Sequence, residues 1–216
     1  MDRLPPEIRE MILNDIPRSD WPILATVSHA WQNTVERHTF RIIEVESASS
    51  LSMAILSDAA TTIRRAEYIG YIIYTVELPS HAKNPSKEVT DGTGDYLTAE
   101  DMKADNRGFT RAISRLFNIL ATWPKTATRE GPALAIQATN PPHESRETVR
   151  NPEYAYLALE KHLQLPLLHC VHWLNTSGVE NAKMPRRFEP LHIALETQVR
   201  LSKLCPNVAG VSWGFY

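Results

Sequence analysis

The chain has 216 residues, 43% hydrophobic and 22% charged, with 23 basic against 25 acidic side chains and a net charge of −2. This length buries roughly 70% of the unfolded surface without disulfide or metal staples, in one large domain or two small ones, and the charge balance excludes a chain held mainly by phosphate contacts, so no nucleic acid partner is expected. Two cysteines, Cys170 and Cys205, read as buried thiols of a reducing compartment, cytoplasmic or nuclear, and with no apolar run near 18 residues neither export nor membrane spanning is expected.

Residues 5–40 hold three short helical patterns. Ile8, Met11, Ile12 and Ile16 recur at spacings of three and four, one face of a helix of about three turns. Pro5 and Pro6 suit its first turn, where no backbone donor is needed, Glu7 suits the positive end of its dipole, and Pro17 stops it. A second helix starts at Ser19 or Asp20 with Pro22 in its first turn and carries Ile23, Leu24 and Val27. Ser28 caps a third, bearing Trp31 and Val35. A unit of roughly 40 residues buries too little to stand alone, so it must lean on another protein or on the rest of the chain.

After Phe40 strands alternate with helices. Residues 40–46 and 69–78 are rich in β-branched residues and predict strands, with a helix between them on Leu51, Ala54, Ile55 and Ala59. This β-α-β order favours parallel pairing. Residues 79–106 lack apolar periodicity and predict a long loop; residues 140–152 predict a second. Between them, Ile113, Leu116, Phe117 and Leu120 predict a helix over 109–123, and Leu134, Ile136 and Ala138 alternate as a third strand. Further helices are predicted over 154–162 and 191–204. No glycine-rich or polar linker separates Trp31 from the strand at Phe40, so Trp31, Val35 and Phe40 are expected to join the two parts rigidly.

Residues 166–173 align with residues 206–213 at an offset of 40: proline, an aliphatic residue, valine and tryptophan recur. Each copy reads as a proline stop and a short strand, the unit of an α/β solenoid. Both Trp173 and Trp213 are expected to be largely buried on one side of a common sheet, beside Val171 and Val211.

Catalytic signals are sparse. Gly92-x-Gly94 lacks the third glycine of a dinucleotide fingerprint. His169 and His172 in a strand would face opposite sides, and neither cysteine has a Cys-x-x-Cys partner. Arg186 and Arg187 with Lys183 read as a solvated loop. No catalytic residue, metal or cofactor is expected.

The segment Leu4-Pro5-Pro6-Glu7-Ile8, Met11-Ile12-Leu13, Ile16-Pro17, Ser19-Asp20, Val27-Ser28 and Trp31, ending at Phe40, resembles an F-box, with Ile16 for the usual leucine and Trp21-Pro22 where the family commonly has two leucines. The resemblance implies a non-catalytic substrate receptor of a cullin-RING ubiquitin ligase, docking the Skp adaptor, and through it a cullin, by helix-in-groove recognition. It marks Leu4, Pro5, Ile8, Ile12 and Ile16 as adaptor contacts and leaves Val27 and Trp31 open between docking and holding the helices together. Leu204-Cys205-Pro206-Asn207-Val208 is similar to the helix-to-strand joint of leucine-rich repeats, and the whole resembles the fungal F-box proteins. The expected organisation is therefore a three-helix F-box at 1–40 and, at 41–216, an irregular α/β repeat domain with parallel strands that selects an unknown protein for the ubiquitin-proteasome pathway. Ending directly on a strand at Trp213-Gly214-Phe215-Tyr216, the chain reads as a shortened member of that group. The alternative is a repeat-type interaction scaffold with no link to ubiquitination. The two differ in whether the apolar stripe of the first helix is exposed for docking or buried as a cap.

Overall fold

The computed structural model describes residues 4–61, 63–79, 99–123, 131–139, 156–176 and 192–212. Its first part is helical: α1 (Pro6–Asp15), a 3-10 turn (Arg18–Asp20), α2 (Trp21–Ala25) and α3 (His29–Thr39). Proline opens both α1 and α2, and the Ser28 hydroxyl caps α3 by accepting from the Trp31 N–H. Leu13, Trp31 and Val35 fill the space between the helices. Polar contacts fasten its edges: the Arg9 Nε donates to Thr34 Oγ1 at 3.2 Å, and Glu10 pairs with Arg37 at 3.6 Å. Trp21, one of the departures from the F-box pattern, donates its Nε1 to the Ile16 carbonyl at 3.2 Å and meets the edge of His38. The substitution thus ties the end of α1 to α3.

The second part is α/β: β1 (Ile42–Glu46), α4 (Ser50–Thr61), α5 (Ile63–Tyr68), β2 (Tyr71–Glu77), α6 (Ala99–Ala121), β3 (Ala133–Thr139), β4 (Tyr156–Leu157), β5 (Trp173–Asn175), β6 (His192–Ile193), α7 (Leu195–Lys203) and β7 (Gly210–Ser212). Five strands form one parallel sheet in the order β1-β2-β3-β5-β7, and β4 pairs with β6 in a small second sheet. A strand order that advances in one direction, with connections of the usual hand, stacks every crossing element on the same face. The core shows this. Ile43, Val45, Ile72, Tyr74, Val76, Leu134, Ile136, Ala138 and Leu174 point to one side and share a cluster with Met53, Leu56, Phe109, Ile113, Phe117 and Leu201 from the helices. The Tyr74 hydroxyl finds its acceptor at the Ala112 carbonyl of α6, 3.0 Å away.

Several sequence expectations need correction. Helix α6 begins at Ala99, so the last residues of the 79–106 segment are not loop. Its first turns carry Glu100 and Asp101, favoured at a helix N-terminus, and use polar side chains for packing, Asp105 buried and Asn106 capping a neighbouring strand. Apolar period therefore does not reveal them. The helix expected over 154–162 is absent among its described residues, where β4 and extended chain stand instead. The N–H groups of Ala158, Leu159 and Glu160 donate to the Asn106 Oδ1, Thr197 Oγ1 and Thr110 Oγ1 rather than to helical carbonyls. Helix α7 starts only at Leu195, because His192–Ile193 pairs with β4. The two repeat strands do lie side by side in one sheet, but Trp173 pairs with Gly210, an offset of 37 in place of 40, and Trp173 is 40% exposed. Alternation explains this: Leu174 points into the core, so Trp173 must point out. Trp213, the 80–98 and 140–155 segments, and Lys183, Arg186 and Arg187 lie outside the described residues.

Candidate functional site

Helix α1 has two faces. At 100° per residue, Arg9 and Leu13 fall on one side and meet α3, Leu13 fully buried and Arg9 bonded to Thr34. Ile8 and Met11 fall on the other side and stand in solvent, Met11 64% exposed, with Ile12 half-buried on the flank. Of the sequence-marked contacts, Pro5 and Ile8 are exposed and Leu4, Ile12 and Ile16 half-buried. Helix α2 adds Ile23, 70% exposed, and the turn after it adds Val27, 51% exposed. Sequence periodicity put Met11 on the same face but did not single it out, nor Ile23; their exposure is a tertiary property. Trp31, in contrast, is buried among the helices, whereas Val27 is exposed.

The helices are fixed to the α/β part through α5. Arg65 reaches back to Glu36 on α3 at 3.8 Å, pairs with Asp58 on α4 at 2.7 Å and lies over the Phe40 ring. Arg37 of α3 lies over Tyr68. Between them, the N–H groups of Gly70 and Tyr71 both donate to the Arg41 carbonyl at 3.0 Å, so the strand start and helix end are clamped. Phe40 packs on the α/β core. The expected contact of α3 with the first β-α unit thus runs through Phe40, with Arg65 as an unforeseen contributor.

The sheet face away from the helices is exposed only at its margins, at Ile42, Glu44, Glu46, Glu77 and Trp173, while Ile73, Ala135 and Gln137 in its middle are buried. Strand register aligns its side chains in rows: Ile42, Tyr71, Ala133 and Trp173 in the first, Glu44, Ile73, Ala135 and Asn175 in the second, Glu46, Thr75 and Gln137 in the third, with Glu77 beside Thr139 beyond. The small residues of β3 are buried as a floor, and the Gln137 amide donates to Thr75 Oγ1 at 2.7 Å.

An open cavity of about 320 Å³ lies where α6 meets residues 158–161, lined by Lys103, Asn106, Arg107, Ala158, Leu159, Glu160 and Lys161. Among the described residues no group of three or more His, Cys, Asp or Glu is placed to hold a metal ion. His169 and His172 lie in irregular chain just before β5, where the His172 carbonyl accepts from Ala209. Cys170 and Cys205 are buried free thiols; burial raises the first to about 11 and, with Cys170 nearby adding to the effect, the second to about 12. Neither is a thiolate near neutrality. No described helix is long and apolar enough to cross a membrane.

Residues 1–43 match the family model of the F-box domain. No curated protein and no solved structure matches the chain.

Proposed function

We propose that this chain, whose residues 1–43 form an F-box domain, is a non-catalytic substrate receptor that docks a Skp adaptor, and through it a cullin, and presents a target protein by its α/β region. F-box domains bind Skp-type adaptors generally; the division of labour within this chain is our reading. The observation that carries it is the apolar surface left on α1 and α2. Ile8, Met11, Ile23 and Val27 stand in water although Leu13, Trp31 and Val35 already hold the helices together. Burying one such side chain in a partner contributes about 1.5–3 kcal/mol, so a few supply the energy of a stable contact. A helical cap would have turned them inward. Leu4, Pro5, Ile8, Ile12 and Ile16 are the assigned contacts, joined now by Met11.

The clamp around Arg41 and Arg65 supports the second half of the reading, because a receptor must hold its target at a set distance from the adaptor. The competing reading, a protein-binding scaffold outside ubiquitination, shares the α/β surface but has no use for the exposed helical stripe. Titrating purified chain with purified Skp adaptor separates them: a saturable one-to-one complex supports the receptor, and absence of binding by folded chain supports the scaffold.

A further inference from the structure

We infer that the outer face of α6, with the cavity beside its first turns, binds an extended acidic segment of a protein, one that carries a carboxylate at every second residue. The inference rests on the receptor reading only in making this segment part of the target; the site itself follows from the residues of α6.

Lys103, Arg107, Arg111 and Arg115 recur at intervals of four residues along α6, and all four are exposed. Like charges at this interval are neighbours on a helix surface and destabilise it. The opposite face already meets the core through Phe109, Ile113 and Phe117, so the row is not needed to hold the helix in place. No ion pair among the described residues engages any of the four. The Arg107 Nε donates to the Lys103 carbonyl at 3.2 Å, which turns its guanidinium back along the row. The cavity of about 320 Å³ lies at the same end, where Lys161 lines it together with Lys103 and Arg107. Ala158 and Leu159 give the cavity apolar wall on which the stem of a side chain can rest. Against these five cations, the exposed carboxylates of the helix and the cavity are only Glu100 and Glu160, so positive charge prevails.

The spacing of the row defines what fits it. Four helical residues rise about 6 Å, and rows of this kind run about 26° from the helix axis, which lengthens the interval to about 6.7 Å. Two residues of extended chain cover about 6.6–6.8 Å. Successive cations therefore fall opposite alternate side chains of an extended segment crossing α6 obliquely, and the row accepts five or six residues over its rise of about 18 Å. The chain as a whole carries a charge of −2, which opposes long-range capture of a nucleic acid or an anionic membrane, whereas a short local row suits a short acidic segment.

The test uses the full chain and a fluorescein-labelled octapeptide of alternating glutamate and alanine, followed by fluorescence anisotropy at low and physiological salt. The comparisons are the same residues with the glutamates in one block, the alternating peptide with lysine for glutamate, and a pentathymidylate of equal charge. The alternating acidic peptide should bind at least tenfold tighter than the basic one and at least threefold tighter than the block peptide and the oligonucleotide. Arg107→Gln, Arg111→Gln and Arg115→Gln together should weaken it at least tenfold and flatten the salt dependence, and Lys161→Gln should weaken it severalfold. A control triple, Arg18→Gln, Arg41→Gln and Lys203→Gln, removes the same charge from exposed sites off this face and should change nothing. Because the row is self-repelling, the α6 triple should unfold at no lower urea concentration than wild type; a clearly lower midpoint makes the row structural and overturns the inference. Block peptide, basic peptide or oligonucleotide bound as tightly as the alternating acidic peptide, or equal loss in both triples, overturns it too. Adaptor binding measured on the same samples separates the two readings: adaptor binding without peptide binding defeats only the α6 site, and the reverse defeats only the receptor role.

Discussion

The guanidinium carbon of Arg65 lies 5.5 Å from the centre of the Phe40 ring, so a cation of α5 covers the aromatic residue that ends the helical segment. Its nitrogens reach Asp58 and Glu36 at the same time, and Glu36 is buried. The side chain is one-third exposed, so screening limits each ion pair. Arg65→Ala should lower stability by about 1–2 kcal/mol in urea denaturation, and Arg65→Lys should recover only part, since an ammonium neither stacks flat nor forks to two carboxylates. The same variant should speed tryptic cleavage after Arg41 in the native chain. Unaltered cleavage would mean that the join does not depend on this contact.

Gly131 tests the seam between β3 and the approach to β5. A Cβ there would stand 1.8 Å from the Cys170 carbonyl oxygen, so backbone must move to admit it. Gly131→Ala is expected to cost about 2–3 kcal/mol. At Gly70 the nearest atom, the Arg41 oxygen, would be 3.5 Å away, an ordinary contact, and Gly70→Ala should cost less than about 1 kcal/mol. Thermal denaturation of the two variants side by side checks the contrast.

The strands β1, β2 and β3 and the apolar half of α6 were legible because β-branched alternation and the helical period record directly which side chains meet the core. The N-terminal turns of α6 were not, since the side chains that face inward there are polar, Asp105 buried and Asn106 accepting from the Ala158 N–H. Nor was the extended chain at 158–160, where side chains from Asn106, Thr110 and Thr197 take over the backbone donors. For the candidate docking face, the motif and its order were readable, including Ile8; the partition between Leu13 inside and Met11 outside was not, because adjacent aliphatic residues near the edge of a stripe differ only in what the other helices cover. Trp173 shows the same limit. The repeat placed it in a sheet, but its face followed from Leu174 entering the core.

Alkaline pH should weaken the fold in a defined window. Burial raises the Cys170 thiol from an ordinary 9.0 to about 11, and burial with the neighbouring Cys170 raises Cys205 to about 12. Burial also raises Tyr74, against an opposing pull from Arg115. The unfolded chain therefore releases these protons at lower pH than the folded chain, so unfolding free energy holds steady below about 9 and falls as pH climbs toward 11–12. Urea midpoints measured between pH 7 and 10.5 should fall only above 9, and Cys170→Ala with Cys205→Ala should make the fall shallower. A midpoint that stays level to pH 10.5 contradicts the burial of these groups.

The central claim is that α1 docks a Skp adaptor through its solvent-facing side. The decisive measurement is calorimetric titration of the adaptor with wild type, Ile8→Asp, and Ile8→Asp combined with Ile12→Asp, each checked for native circular dichroism. Carboxylates carried unpaired into an apolar groove cost several kcal/mol, so the account predicts binding weakened at least a hundredfold by Ile8→Asp and undetectable in the double variant. Ile8 is exposed, which keeps the single variant folded even if Ile12→Asp disturbs the half-buried flank. Wild-type affinity in folded Ile8→Asp, or no complex with wild type at all, would contradict it.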